Sequence, residues 1–295
     1  MRLDRGVTSD LVDLAALRAF LVVHAVPGLD DVEVLADGAT RHRRLFTGGG
    51  GAPSTLTVTL PAGAVGAPSI DADGPPDAVA AATAVGLRWL GLDADPAPGV
   101  AALADDPVLG PLVRARPHLR VPGSTDAFET AVLVVLGQHV SLAAGRAFAA
   151  RLVAAHGTRV GGIRAFPAPE VLAALDPTAL RHTAGITGAR ARTVVAIAGA
   201  VAHGTLALRA ASTPDLAETR RALLALPGVG PWTADLVALR ALRDPDVFLP
   251  GDLVVRKALG GVTAKAAEAM AEAWRPHRSL AVLHLWTHAA IDPPR

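Results

Sequence analysis

The spacing of apolar positions changes character several times along the first third of the chain. Residues 11–24 form an apolar-rich run with helical spacing, closed by Pro27-Gly28. Three short runs follow, 32–35, 41–46 and 56–60, and each reads as a strand. The clearest lies in Ser54-Thr-Leu-Thr-Val-Thr-Leu60, where polar and apolar residues alternate with period two, as in a half-buried strand. The glycine run 48–51 reads as a turn or loop. A helix is predicted over 75–92, opened by Pro-Pro-Asp with Asp77 in its first turn. Residues 1–98 are therefore expected to form a small α+β domain with an antiparallel sheet. Residues 99–122 are expected to be a connecting segment of short helical pieces between Pro98 and Pro122.

From Ser124 onward the pattern is helical almost throughout. Helices are predicted over 126–136, after a Ser-Thr-Asp cap signal, and over 141–156, capped by Ser141. Further helices are predicted over 169–175, 177–182, 189–203, 213–226, 232–242, 253–259, 264–274 and 279–288, with Gly and Pro between them. No repeat of fixed period is present. Residues 123–295 are expected to form a helical domain pair.

Composition narrows the chemistry. Of the 295 residues 51% are apolar, enough to bury a core, and the dominant Ala suits closely packed helices. Aromatics are scarce: no Tyr, six Phe and four Trp. Three of the Trp, Trp232, Trp274 and Trp286, fall in the last quarter of the chain, either as core or where a flat ligand stacks. The absence of Cys excludes a disulfide framework, a thiol nucleophile and a cysteine-held iron–sulfur cluster. Asp4, Asp10 and Asp13 interrupt any signal-peptide pattern, and no apolar run is long enough to span a membrane. A soluble, cytoplasmic protein is the expectation. The net charge is +1, but its distribution is uneven: residues 123–295 carry 18 Lys+Arg against 13 Asp+Glu, and the first 122 carry 10 against 14. The basic half is the one expected to face phosphates.

One stretch carries the functional argument. Leu226-Pro-Gly-Val-Gly-Pro-Trp-Thr-Ala234 lies between two predicted helices. Gly228 and Gly230 allow a tight turn, and amides there, feeding a helix N-terminus, suit a phosphate. A plain helix–turn–helix connection would read the same way in isolation. About twenty residues on comes Val247-Phe-Leu-Pro-Gly-Asp-Leu-Val-Val-Arg-Lys257, with Asp252 at the start of a helix. Asp252 is placed to cap that helix, and a carboxylate fixed at a helix start is also preorganised.

These residues resemble the helix-hairpin-helix (HhH-GPD) glycosylase superfamily, in particular the AlkA-type 3-methyladenine DNA glycosylases. Further matches are Asp126-Ala-Phe-Glu129, Leu136-Gly-Gln-His-Val-Ser141, Trp274-Arg-Pro-His-Arg-Ser279 and Leu283-His-Leu-Trp286, with an outline match at Leu17-Arg-Ala-Phe-Leu21 and Ala25-Val-Pro-Gly-Leu-Asp30. The resemblance implies an α+β fold, a mostly α-helical core with a small N-terminal antiparallel sheet domain, and an active site in the cleft between the helical parts. It implies double-stranded DNA with alkylated bases as partner, and a monomer. It assigns Asp252 as the catalytic carboxylate. Trp232, Trp286 and Leu253 would line the base pocket, where an indole face attracts a cationic alkylated purine. Gln138 and His139 would form the wedge that fills the gap left by a flipped nucleotide. The amides of Gly228, Val229 and Gly230 would hold a backbone phosphate. No cofactor or catalytic metal is implied, beyond a monovalent cation at the hairpin when DNA is bound.

Bifunctional members of the superfamily need a Lys for a Schiff base, two residues after the second hairpin glycine. That position here is Trp232. The two lysines are Lys265, in a later helix, and Lys257, five residues past Asp252 and expected to face away from it. A strand-cleaving activity is not expected. Gly251 stands where the AlkA type often has a second Asp, and Leu253 replaces a frequent Tyr, so the pocket wall differs. Three other readings remain open on sequence: a lesion binder without efficient excision, a non-enzymatic hairpin module, and a metal hydrolase built on His284 and His288, which have i, i+4 spacing but no carboxylate between them. Arg240, Arg256 and Lys257 are weaker phosphate candidates, because a charged residue on a helix usually faces solvent.

Overall fold

The structure, a computed structural model, describes residues 11–46, 54–208 and 216–291. The glycine run 48–51 and the start of the helix expected over 213–226 lie outside the described residues. Among the described residues no helix is long and apolar enough to cross a membrane.

The chain opens with β1 (Val12–Asp13) and α1 (Leu14–His24), whose first turn is capped by Asp13, its Oδ1 accepting from Ala16 N–H at 2.9 Å. Strands β2 (Asp31–Val34), β3 (Thr40–Phe46), β4 (Ser54–Leu60), β5 (Val65–Gly66) and β6 (Ser69–Asp73) follow. β2, β3, β4 and β6 form an antiparallel sheet in the order β2-β3-β4-β6, and β1 pairs with β5 in a two-stranded ribbon. The register puts His42 opposite Val58, and Val58 opposite Ile70. The period-two pattern of β4 decides which face is covered: Leu56, Val58 and Leu60 are fully buried against Leu17 and Leu21 of α1 and Val85 and Trp89 of α2 (Pro76–Trp89). Burial of such aliphatic side chains contributes about 1.5–3 kcal/mol each. β5 and β6 lie outside the strands expected from sequence. β5 has two residues, and Ser-Ile-Asp-Ala-Asp carries two Asp, which strands disfavour; β6 exists because β4 offers it a paired edge.

The rest is helical: α3 (Ala97–Leu103), α4 (Leu109–Ala115), α5 (Ala127–Gly137), α6 (Leu142–His156), a two-residue hairpin of β7 (Arg159–Val160) and β8 (Ile163–Arg164), α7 (Pro169–Ala173), α8 (Pro177–Ala184), α9 (Gly188–Ala202), α10 (Leu216–Leu224), α11 (Pro231–Val237), α12 (Leu253–Ala258), α13 (Ala264–Ala271) and α14 (Arg278–Ile291). The helix expected over 232–242 is in fact two pieces. α11 ends at Val237, a π-helical turn runs Ala238–Leu242, and Arg243 terminates it in the left-handed region at φ 61°. This is an α+β fold with a predominantly helical core.

The helices bury two apolar clusters. One gathers α5, α6, α8 and α9 around Val132, Leu136, Leu152, Leu180 and Val194. The other gathers α4, α12, α13 and α14 around Leu109, Val255, Trp274 and Leu283. Trp232 and Leu236 of α11 pack against both, so α11 lies along the seam between them. The sheet is tied to the helices by charge: buried Arg44 of β3 pairs with Asp30 at 3.0 Å and with Glu129 of α5 at 2.6 Å. Arg116 pairs with Asp13 at 2.8 Å across the same junction. Removing one member of a buried set of this kind leaves an uncompensated charge, which costs about 3–5 kcal/mol.

Candidate active site

The hairpin that follows α10 is closed by the Val229 N–H, which donates to Leu226 C=O at 3.2 Å. Gly228 sits at φ 79°, and a Cβ there would lie 2.1 Å from Thr193 Oγ1 on α9. Both backbone conformation and close packing therefore require glycine. Gly230 differs from the expectation that both glycines serve the turn. Its φ of −95° suits any residue, and the space in front of it is open. Val229 differs too. Its amide is spent inside the turn and its side chain is buried in the helical core. The amides of Gly228 and Gly230 have no acceptor among the described residues, so the hairpin leaves these two donors unused.

Asp252 stands at the head of α12. Its Oδ1 accepts from the backbone N–H of Val254 and of Val255, each at 3.0 Å, so it caps the helix as the sequence suggests. Two tryptophans from distant elements also point at it. Trp286 of α14 donates its indole N–H to Oδ1 at 3.1 Å, and Trp232, at the start of α11, donates to Oδ2 at 3.3 Å. Oδ1 thus takes three donors and Oδ2 one. Oδ2 is the oxygen with spare acceptor capacity. The two indoles brace the carboxylate edge-on with their N–H groups, and both rings are partly buried against the helical clusters. Sequence reading assigns both tryptophans to a pocket wall; their second role, as donors to Asp252, depends on bringing together residues 20 and 34 positions apart in the chain. Leu253 is 60% exposed and Val254 43%, an open apolar lip beside the carboxylate. Gly251 is exposed, with nothing near the position of its missing side chain.

Across the seam, the loop between α5 and α6 carries Gln138 and exposed His139. His139 has φ 53°, rare for a residue with a side chain. The loop is held from several directions. The Gln138 side-chain amide donates to Thr233 Oγ1 at 2.7 Å and to Gly228 C=O at 3.2 Å. The Arg190 guanidinium, from α9, donates to the Gln138 backbone carbonyl. Ser141 Oγ caps α6 by accepting from Ala144 N–H at 3.2 Å. The loop after α5 and the hairpin are therefore one connected unit. Thr233 and Arg190 were not singled out from sequence. Thr233 lies inside the hairpin motif and could have been; Arg190 lies 52 residues from its acceptor, and nothing local marks it.

The weaker basic candidates separate. Lys257 is exposed, and Arg256 donates to Val262 C=O at 2.8 Å. Arg240 does not lie on a solvated face. Its guanidinium stacks 4.3 Å above the Phe20 ring, its Nε is buried without a hydrogen-bond partner, and burial pushes it down to about 10. Trp274 is core: it is 2% exposed and donates to Asp106 Oδ2 at 2.8 Å. His284 is also core, at 1% exposure, and burial, with the nearby Arg116 charge, pushes its ring down to about 4. A side chain so enclosed is not available to the metal-hydrolase reading.

Comparison with known proteins bears on the family and the fold. Residues 11–126 match the AlkA N-terminal domain family. The chain is 44% identical over 215 residues to a probable bifunctional transcriptional activator/DNA repair enzyme AlkA of Mycobacterium tuberculosis; the match covers 70% of this chain and 42% of that protein. It is 40% identical over 188 residues to DNA-3-methyladenine glycosylase 2 of Escherichia coli K12, covering 63% of this chain and 66% of that one. The matched stretch thus falls well short of the full length of both relatives. Among solved structures, a 3-methyladenine DNA glycosylase from Archaeoglobus fulgidus has the same fold, with a TM-score of 0.78 at 21% identity over 99% of each chain.

Proposed function

The chain belongs to the AlkA-type branch of the helix-hairpin-helix DNA glycosylase family, and from that premise we propose that it is a monofunctional glycosylase that excises alkylated purines from duplex DNA. The observation that carries the proposal is Asp252, fixed by two backbone amides and two indole N–H groups yet partly exposed beside Leu253 and Val254. Breaking an N-glycosidic bond builds positive charge at C1′ of the sugar. A preorganised anion beside that carbon lowers the barrier without having to reorient. Oδ2, with its single long donor, is the oxygen placed to meet that charge. Water adds its oxygen to C1′ and gives up a proton to solvent, and the glycosidic electron pair leaves with the base. An alkylated purine is a good leaving group and often cationic, so the indole faces of Trp232 and Trp286 favour it over a normal base.

Base flipping supplies the substrate. His139 would enter the stack as the wedge with Gln138 behind it, while the Gly228 and Gly230 amides hold a backbone phosphate. A monovalent cation bound there by backbone carbonyls would have to share the Gly228 carbonyl with the Gln138 amide, and no step of the reaction uses it. Trp232 occupies the position a Schiff-base Lys would need, and Lys257 is exposed, so hydrolysis stops at the abasic sugar. The protein would act on chromosomal DNA in the cytoplasm as a monomer.

A second reading is favoured by the open lip at Leu253 and Gly251: a protein that binds lesions with little excision. Incubation with methylated duplex DNA separates the two. The proposal expects release of free 3-methyladenine or 7-methylguanine with both strands intact. Strand cleavage at the abasic site contradicts the monofunctional assignment, and tight binding with no released base favours the second reading.

A further inference from the structure

One helix stands behind both the loop after α5 and the hairpin. Arg190 and Thr193 of α9 are three residues apart and so share a helix face. Thr193 fills the space behind Gly228, where a Cβ would be only 2.1 Å from its Oγ1. Arg190 donates to the carbonyl of Gln138, the residue immediately before His139. The same guanidinium lies 5.6 Å from the ring centroid of Phe148 on α6, the helix that leads out of the loop. From the other side the Gln138 amide crosses to Gly228 and Thr233. His139 holds a left-handed backbone at φ 53° that an L-residue disfavours, so its conformation depends on these anchors.

We propose that Arg190 is a positioning residue that sets the spacing between the wedge loop and the phosphate-binding hairpin. With the spacing fixed, seating of the phosphate on Gly228 and Gly230 and entry of His139 into the stack occur together. Arg190 then serves base flipping and not hydrolysis. This rests on reading the chain as a base-flipping glycosylase. An arginine that only pinned α9 to α5 would affect every substrate alike.

The test uses the full chain, its Arg190→Met variant, which keeps most of the side-chain stem, and Arg190→Lys, which restores a charged donor without the planar fork. Base release is measured on one methylated oligonucleotide, either fully paired or with the methylated base held unpaired in a bulge. A hydrogen bond from a charged donor is at stake, so Arg190→Met should slow release from the paired duplex on the order of ten-fold and from the bulge by about two-fold or less, with Arg190→Lys between. Equal slowing on both substrates, or on neither, overturns the proposal. If the wild-type chain releases no base, the glycosylase reading fails by itself. The positioning role is then read from 2-aminopurine placed in the duplex. A fluorescence rise on binding the wild type that is reduced with Arg190→Met supports it; an equal rise, or none, overturns it.

Discussion

Asp106 stands three residues before α4 and Asp252 immediately before α12, in related sequences, Asp106-Pro-Val-Leu109 and Asp252-Leu-Val-Val255. Each uses Oδ1 to accept from the amides two and three residues on, at 2.9 and 2.8 Å for Asp106 and at 3.0 Å twice for Asp252. Each also accepts from indole: Asp106 from Trp274 at 2.8 Å, Asp252 from Trp232 and Trp286 at 3.3 and 3.1 Å. What differs is the surroundings. Three residues on, Leu109 and Val255 are both completely buried, but Trp274 is 2% exposed whereas Trp232 and Trp286 are only partly buried, beside exposed Leu253 and Val254. The pair of amides and the indole bond are thus a way of fixing a carboxylate, used once with an indole inside the core and once with two that are partly exposed. The second indole, which brings α11 to α14, and the partial exposure of both rings distinguish the carboxylate proposed to act in catalysis from the one that meets buried Trp274.

If that contrast holds, substitutions at the two units should act on different observables. Trp274→Ala should lower stability by about 3–5 kcal/mol, as expected for a buried tryptophan, and denaturant unfolding would show it. Any base release by the folded fraction should keep its wild-type rate constant. At the open unit, Trp232→Phe and Trp286→Phe keep the ring and remove the donor. Each should slow base release by roughly ten-fold or more, the scale of a hydrogen bond to a charged group, with unfolding little changed. A large loss of stability in either Phe variant would merge the two units and remove the contrast.

A smaller effect distinguishes two faces of α14. His284 lies two residues before Trp286 but faces the core, and its ring is held neutral, down to about 4. The unfolded chain takes up a proton near the ordinary histidine value of about 6.5, so the contribution is complete above that pH and is lost as pH falls toward 4. Stability should drop by about 1.4 kcal/mol per pH unit across that window from this group. Urea unfolding from pH 7 to 5 should give a shallower slope for His284→Leu than for wild type; equal slopes would show that the ring is not held neutral.

Sequence carried the local features well and the distant ones poorly. Asp126 caps α5 through the Glu129 amide at 2.7 Å, and Ser141 and Asp252 cap α6 and α12, because a cap involves neighbours in the chain. The motif around Gly228 placed Trp232 and Asp252 in one site, but not the edge-on geometry by which the indoles hold the carboxylate. Gly230 looked like a turn glycine and is not one by its φ. β6 was missed because its pairing comes from β4 and not from its own residues. Arg240 was misread because its partner is the ring of Phe20, 220 residues earlier, and helical position alone suggests solvent. Arg190 was invisible for the same reason: its acceptor is a backbone carbonyl in another loop.

The most direct measurement is single-turnover base release from methylated duplex DNA by the wild type, Asp252→Asn and Asp106→Asn. Asparagine caps a helix about as well as aspartate, so Asp252→Asn should fold and bind the duplex. The account predicts that it releases no methylpurine, while Asp106→Asn, though less stable, releases them at the wild-type rate. Release at the wild-type rate by Asp252→Asn would contradict it.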